Sequence, residues 1–186
     1  DHCYTEICAE IDRAKHHVHV EYYIFEPGDA AGMFRDALMR ARDRGVEVRL
    51  LVDAVGSSAL SGAFLAPLIA KGARFATFNP VFFARLDAPI NFRNHRKIVV
   101  CDGRVGFTGG INVGDLNLSE RAGGAPIRDY HLFVAGPVVS ERLSARLCAE
   151  AAVASAIDAS VMETSALDTT RMDHCMVRLP NPDERR

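Results

Sequence analysis

The sequence lacks long apolar runs and lacks an excess of basic residues. No stretch approaches the roughly 18–20 apolar residues that a membrane-spanning helix needs. The formal net charge is −2 over 186 residues, so no global positive field draws the chain to nucleic acid or to anionic lipid. Affinity for phosphate must therefore be local. Because the chain begins at Asp1 rather than Met, the sequence leaves open an upstream anchor or signal peptide.

Paired cysteines are also missing. The five cysteines are an odd number and are scattered without CxxC spacing, which excludes a disulfide framework and a zinc knuckle. A reducing compartment is the simpler interpretation. The HHVH run at 16–19 raises a metal hypothesis, but His17 and His19 share one face of an alternating segment and have no nearby sequence partner. We predict an ordinary polar strand face there, and no metal or cofactor.

Hydrophobic patterns predict an α/β fold. After a first helix at about 7–14, strands in HHVHVEYYIF, VEVRLLVD and ARFATFN alternate with helices. These helices are expected at about 30–44, with Met33, Leu38 and Ala41 inward, and at 57–72 behind a serine cap. Such alternation indicates βαβ units and a sheet covered on both faces.

Two further strands, KIVVC and RVGFT, flank an Asp102-Gly103 pair that favours a hairpin turn. Another strand, DYHLFVAG, and a long helix at 136–156 follow. Between Pro80 and Pro89, Phe82 and Phe83 either belong to the core or form an apolar rim. We predict one domain over 1–154, and a poorly patterned tail or linker over 155–186.

The densest polar cluster lies in NHRKIVVCDGRVGFTGGIN, residues 94–112. Residues two apart in a strand point the same way, so His95 and Lys97 are expected to project towards one ligand. Imidazole can attack phosphorus covalently, and an ammonium neutralises phosphate oxygens. Gly109 and Gly110 would let backbone approach an anion, and Asn112 would offer its amide N–H. The cluster therefore suits a phosphodiester.

The spacing of these residues is His-x-Lys, four residues, Asp, six residues and Gly-Gly-x-Asn. It resembles the signature motif of the phospholipase D superfamily, and the surrounding sequence over about 5–150 resembles the amino-terminal half of bacterial cardiolipin synthases. The resemblance implies an α-β-α sandwich in which helices flank both faces of a mixed sheet. It also implies that His95 is the nucleophile and that Lys97 and Asn112 grip the phosphate.

By the same resemblance, the Asp129 carboxylate would orient the His95 ring, the less favoured alternative being a polar residue at a strand start. Asp102 carries the motif's aspartate, yet a hairpin turn gives it a structural reason to be there. His131 either lines the site or is a packed polar histidine. Arg93 and Arg96 would form a basic mouth, the alternative being solvated arginines.

The family's site contains two facing motifs, and this sequence has no second His-x-Lys. A homodimer or a further repeat would have to supply the other half, and VRLPNPDERR resembles the opening of such a repeat. The resemblance implies phosphatidyl transfer between phosphatidylglycerol molecules through a phosphohistidine, at the cytoplasmic face of the cell membrane. The alternatives are a homodimeric phosphodiesterase or nuclease, and an inactive half-domain that binds phosphate. Nucleic acid is the less expected substrate because the chain has no basic stripe.

Overall fold

A computed structural model describes residues 2–79, 93–118 and 129–139. Within them a six-stranded mixed sheet has the strand order β3-β2-β1-β4-β5-β6. The strands are β1 (His17–Tyr22), β2 (Glu47–Asp53), β3 (Arg74–Phe78), β4 (Lys97–Cys101), β5 (Val105–Gly109) and β6 (His131–Ala135). The helices are α1 (His2–Arg13), α2 (Asp29–Asp43) and α3 (Gly62–Ala70), and Asp115–Asn117 forms one 3-10 turn.

The sheet has a parallel half and an antiparallel half that meet at β1. Strands β1, β2 and β3 are parallel and are joined through α2 and α3, as the βαβ pattern predicts. Strand β4 pairs antiparallel with β1, and the β4–β5 and β5–β6 pairs are antiparallel as well. The predicted α/β fold with a mixed sheet is confirmed.

The main core lies on one face of the sheet, where all three helices pack. Apolar side chains of the helices meet alternate residues of the central strands, and the buried set includes Ile7, Ile11, Phe34, Leu38, Leu65, Leu68, Val18, Val20 and Val99. Smaller clusters, Ile98 and Val100 with Val139 and Leu51 with Ala76, occupy the opposite face. Most of the helix predicted at 136–156 lies outside the described residues, as do Phe82, Phe83 and the boundary predicted at 154.

Two details of the predicted helices are wrong. Met33 is 40% exposed, and Phe34 takes the inward place beside Leu38 and Ala41. The helix α3 begins at Gly62 rather than at residue 57, because Ser61 is the residue whose side chain caps it, by accepting the amide of Phe64. Among the described residues, no helix is both long enough and apolar enough to span a bilayer.

Candidate functional site

The sequence-distant parts of the site meet at one edge of the sheet. Tyr22 at the end of β1 pairs with Lys97 at the start of β4, because these strands are antiparallel. For the same reason, Gly109 at the end of β5 pairs with His131 at the start of β6. The end of β2 lies at this edge too, since β2 runs parallel to β1. Five strands thus bring their terminal residues to a common edge.

His95 and Lys97 both contact the side chain of Tyr23. The exposed His95 ring stacks on the Tyr23 ring with centroids 3.8 Å apart and planes 20° apart. The Lys97 Nζ lies 5.4 Å from the centroid of the Tyr23 ring and donates a 2.7 Å hydrogen bond to the His95 carbonyl. The expected proximity of His95 and Lys97 is therefore observed, with an aromatic side chain that the sequence analysis missed.

Two buried carboxylates anchor the segment that carries His95. Glu21 is 1% exposed and Asp53 is fully buried. The Asn94 amide donates a 3.0 Å hydrogen bond to Asp53 Oδ2, and the Asn94 side-chain amide donates to Glu21 Oε1. Asp53 Oδ1 also accepts the amides of Val55 and Gly56. The signal for this anchor was an acidic residue within or ending an otherwise apolar strand, in VHVEYY and LLVD.

Arg93 and Arg96 both pair with the anchoring carboxylates, and the basic mouth expected of them stays a prediction. The Arg93 side chain is only 10% exposed and lies 3.6 Å from Asp53 Oδ1, and it donates to the carbonyl of Asn79. Arg96 Nη1 lies 3.4 Å from Glu21 Oε1. Buried charges of this kind require partners, so the arginines neutralise the acids. The solvated alternative fails for Arg93.

Asp129 lies beside Gly110 and within electrostatic reach of Lys97. Burial lowers the pKa of Lys97, and the negative charge of Asp129 opposes this by raising it. No hydrogen bond joins Asp129 to His95 within the described part of the chain, and Asp129 Oδ1 accepts the amide of Tyr130 at 2.7 Å. The structure therefore links Asp129 to Lys97 more directly than to His95.

Gly109 and Gly110 make room for the segment that leads into β6. A Cβ on Gly110 would collide with the Asp129 carboxylate, and one on Gly109 would collide with the Tyr130 carbonyl. The Gly110 amide donates a 2.9 Å hydrogen bond to that same carbonyl. This amide is consequently occupied, and the approach of an anion to the backbone of Gly109 and Gly110 stays a prediction.

His131 also lies at this edge. Burial lowers the pKa of His131, while the Asp129 charge raises it. Both of its ring nitrogens are buried without a hydrogen-bond partner among the described residues. The ring is therefore a neutral, half-buried group beside Asp129, consistent with either predicted role.

Asn112 follows β5 and is fixed at both its backbone and its side chain. Its carbonyl accepts a 2.5 Å hydrogen bond from the Tyr4 hydroxyl, and its side-chain Oδ1 accepts the amide of Ile24 at 3.3 Å. Because Oδ1 is used in this way, the side-chain NH₂ is the group that can donate to a ligand. That polarity agrees with the predicted phosphate grip.

Asp102 is separated from the site, which corrects its catalytic assignment. It follows Cys101 at the far end of β4, and its carboxylate accepts the backbone amides of Lys15, His16 and His17 at 2.8–3.0 Å. Burial raises the pKa of Asp102, but these amide hydrogen bonds outweigh it and bring the pKa below its ordinary value. Asp102 is a structural residue of the turn.

The histidine pair in HHVH lies on β1, away from this edge. The rings of His17 and His19 are 4.8 Å apart. Burial, the neighbouring His17 and Arg49 lower the pKa of His19 to about 4. In the described ranges, no cluster of three or more His, Cys, Asp or Glu side chains could hold a metal ion.

Comparison with known proteins gives a family match. The family model described as "Cardiolipin synthase, PLD-like domain" matches residues 7–123. The chain is 44% identical over 136 residues to cardiolipin synthase 1 of Bacillus anthracis and 44% identical to a cardiolipin synthase of Geobacillus kaustophilus. Each match covers 73% of this chain and 27% of the relative, so the chain spans about a quarter of those proteins.

Solved structures share the fold. Nuc of Salmonella typhimurium, a phospholipase D family member, aligns with a TM-score of 0.56 at 20% identity over 78% of this chain and 84% of that one. The phosphatidylserine synthase of Haemophilus influenzae aligns with a TM-score of 0.58 at 15% identity, over 77% of this chain and 33% of that one. The family model matches more than half of the chain. The chain therefore belongs to the cardiolipin synthase family of phospholipase D-like domains.

Proposed function

We propose that this chain carries one half of a phosphatidyltransferase site of the cardiolipin synthase type. The observation that supports this most strongly is the arrangement of an exposed imidazole, His95, beside a nearly buried ammonium, Lys97, on one tyrosine ring. The names of the relatives supply the substrate class: they are cardiolipin synthases. We propose phosphatidylglycerol as the substrate and the cytoplasmic face of the membrane as the place of the reaction.

His95 acts as the nucleophile. A ring nitrogen attacks the phosphorus of phosphatidylglycerol, a phosphorus–nitrogen bond forms, and the bond to the glycerol oxygen breaks. The glycerol oxygen takes a proton from an acid on the opposite side of the phosphate. The hydroxyl of a second phosphatidylglycerol then attacks the phosphohistidine and gives its proton to that same group. Cardiolipin forms and His95 is regenerated.

Lys97 and Asn112 stabilise the phosphate during both steps. An ammonium has three N–H donors, and the His95 carbonyl uses one, which leaves two for the non-bridging oxygens among the contacts of the described residues. The Asn112 NH₂ adds a neutral donor. Both groups are fixed before substrate arrives, so they reorganise little as charge develops.

The acid that protonates glycerol has to come from outside this motif. The sequence holds no second His-x-Lys, and the matched 136 residues are only 27% of the relative's length. We therefore propose that the facing half is supplied by a second copy of the chain or by a further repeat. The reaction as proposed uses His95 and Lys97 to handle charge and requires no cofactor.

A chimera tests the proposal. The matching segment of the Bacillus anthracis relative is replaced by this chain's own residues, and radiolabelled phosphatidylglycerol is supplied in vesicles. We expect labelled cardiolipin, loss of at least about 10³-fold in turnover on His95→Ala, and no loss on His16→Ala, an exposed matched control. Undiminished cardiolipin formation by the His95→Ala chimera would contradict the proposal. Release of phosphatidic acid instead would assign a phosphodiesterase.

A further inference from the structure

We propose that Tyr23 is a positioning residue that sets the plane of the His95 ring and its separation from Lys97. This inference rests on the proposed function, since it concerns the nucleophile of that reaction. Its basis is the stacking of the Tyr23 and His95 rings, whose centroids are 3.8 Å apart and whose planes differ by 20°. This is a face-to-face contact rather than an edge-to-face contact.

Stacking restrains a nucleophilic imidazole without consuming it. The nitrogen lone pair that attacks phosphorus lies in the plane of the ring, so an aromatic face above or below the plane leaves the nitrogen open. In the described residues, no hydrogen bond occupies either ring nitrogen of His95, and the side chain is exposed. Without Tyr23, this exposed ring would sample several rotamers, and few of them would point at the phosphate.

Tyr23 is itself held by the backbone of two neighbouring segments. Its amide donates a 2.9 Å hydrogen bond to the carbonyl of Arg96, and its carbonyl accepts the Ser57 hydroxyl at 3.0 Å. Gly56 lies against the Tyr23 ring so closely that a Cβ there would be 2.7 Å from a ring carbon. The ring thus has little freedom to move away from His95.

The same ring sets the position of the cation. The Lys97 Nζ is 5.4 Å from the centroid of the Tyr23 ring, within the range of about 6 Å for a cation–π contact. One side chain therefore contacts both the attacking group and the group that neutralises the phosphate. The feature that matters in Tyr23 is the aromatic face, and the hydroxyl is dispensable.

The test compares Tyr23→Phe, which keeps the face, with Tyr23→Leu and Tyr23→Met, which keep apolar bulk without it. In the purified chain, the ring proton resonances of His95 are assigned by their loss in His95→Ala. We expect ring-current upfield shifts in wild type and Tyr23→Phe, and their disappearance in Tyr23→Leu and Tyr23→Met. Phe133→Leu, which removes an exposed aromatic ring from β6, is the matched control and should change neither the shifts nor turnover.

In the chimera, Tyr23→Phe should turn over within about twofold of wild type. Tyr23→Leu and Tyr23→Met should lower kcat on the order of 10–100-fold with KM nearly unchanged, because ring orientation is lost but lipid contacts are kept. Wild-type His95 shifts and kcat in both aliphatic variants would overturn the inference, as would a Tyr23→Phe defect as large as theirs. Turnover that survives His95→Ala would refute the proposed nucleophile, whereas the shifts report the stacking independently.

Discussion

Lys97 illustrates how the fold keeps a nearly buried cation available to a ligand. Its Nζ is held by the His95 carbonyl and faces the Tyr23 ring, and neither contact carries a full negative charge. Burial lowers the pKa of Lys97 and so favours the neutral amine, while Asp129 counters this effect. The carboxylate thereby helps to keep Lys97 protonated without pairing with it so tightly that a phosphate is excluded.

The first prediction concerns Asp129→Asn. Removing the carboxylate's charge removes the influence that raises the pKa of Lys97, so that pKa should fall further below the ordinary lysine value. The alkaline limb of the pH–rate profile should therefore move to lower pH, and the ¹³Cε resonance of Lys97 in the folded chain should titrate at lower pH. Asp102→Asn, at the far end of β4, is the control and should leave this titration unchanged. A Lys97 titration that moves to higher pH in Asp129→Asn would refute this role.

Among the site residues, the sequence predicts the contacts that depend on spacing along a single strand. The contact between His95 and Lys97 follows from their spacing beside a strand. The site also includes Tyr23, Glu21 and Asp53. These residues approach His95 and Lys97 only because strands that are distant in sequence pair in the sheet, and residue spacing does not predict that pairing. The pairing of Arg93 and Arg96 with buried acids was not predicted, because only the fold brings those acids beside them.

Among the elements, the Asp102-Gly103 turn connects the hairpin to the beginning of the sheet. Both residues have positive φ, 55° and 61°, a conformation that Asp and Gly tolerate. The Asp102 carboxylate accepts three consecutive amides, from Lys15, His16 and His17, and His17 is the first residue of β1. The turn thus fixes the entry into β1, and β1 carries Glu21 and leads into Tyr23 at the opposite end.

The second prediction concerns stability at this turn. Asp102→Ala should lower the free energy of unfolding by about 1–3 kcal/mol, because three amides lose their acceptor and alanine disfavours positive φ. Asp102→Asn should lose less, since asparagine accepts through its Oδ1 and tolerates this backbone. Urea denaturation of the purified chain measures both changes. An unchanged free energy of unfolding in Asp102→Ala would contradict this role, because it would show that the three amides find other acceptors.

The pH dependence has a defined sign. The folded-state pKa of Asp102 is below its unfolded value, so its stabilisation is fully present above the unfolded pKa and is lost as pH falls through the folded pKa. The advantage of wild type over Asp102→Asn should therefore be present at neutral pH and vanish in acid. An advantage that grows on acidification would contradict this assignment.

Element types were predictable here because the apolar periods are clear, whereas boundaries depend on tertiary contacts. The start of α3 was placed too early because the segment before Ser61 contains helix-compatible residues. In the folded chain the first of these form turns, which Asp53 stabilises by accepting the amides of Val55 and Gly56. Phe34 lies four and seven residues before Leu38 and Ala41, which puts these three side chains on one face of α2, whereas Met33 lies about 100° around the helix axis from Phe34.

For the whole molecule, charge distribution argues against polyanions as substrates. The net charge is −2, and the two arginines beside His95 are paired with buried carboxylates. The third prediction is that single-stranded DNA binds weakly, with a salt dependence that reflects about one or two phosphate contacts. Fluorescence anisotropy at several salt concentrations measures this slope, with His95→Ala as a variant that should leave it nearly unchanged. A steep slope would favour a nucleic-acid substrate.

The chain spans about a quarter of the cardiolipin synthases that it matches. The most direct test of the central claim identifies the covalent intermediate. The chimera is quenched during turnover with labelled phosphatidylglycerol, and its peptides are analysed by mass spectrometry under alkaline conditions, which preserve phosphohistidine. The account predicts a phosphatidyl group on the peptide that contains His95 and none on that peptide in His95→Ala. Turnover accompanied by an adduct on another residue of this chain, with His95 unmodified, would contradict it.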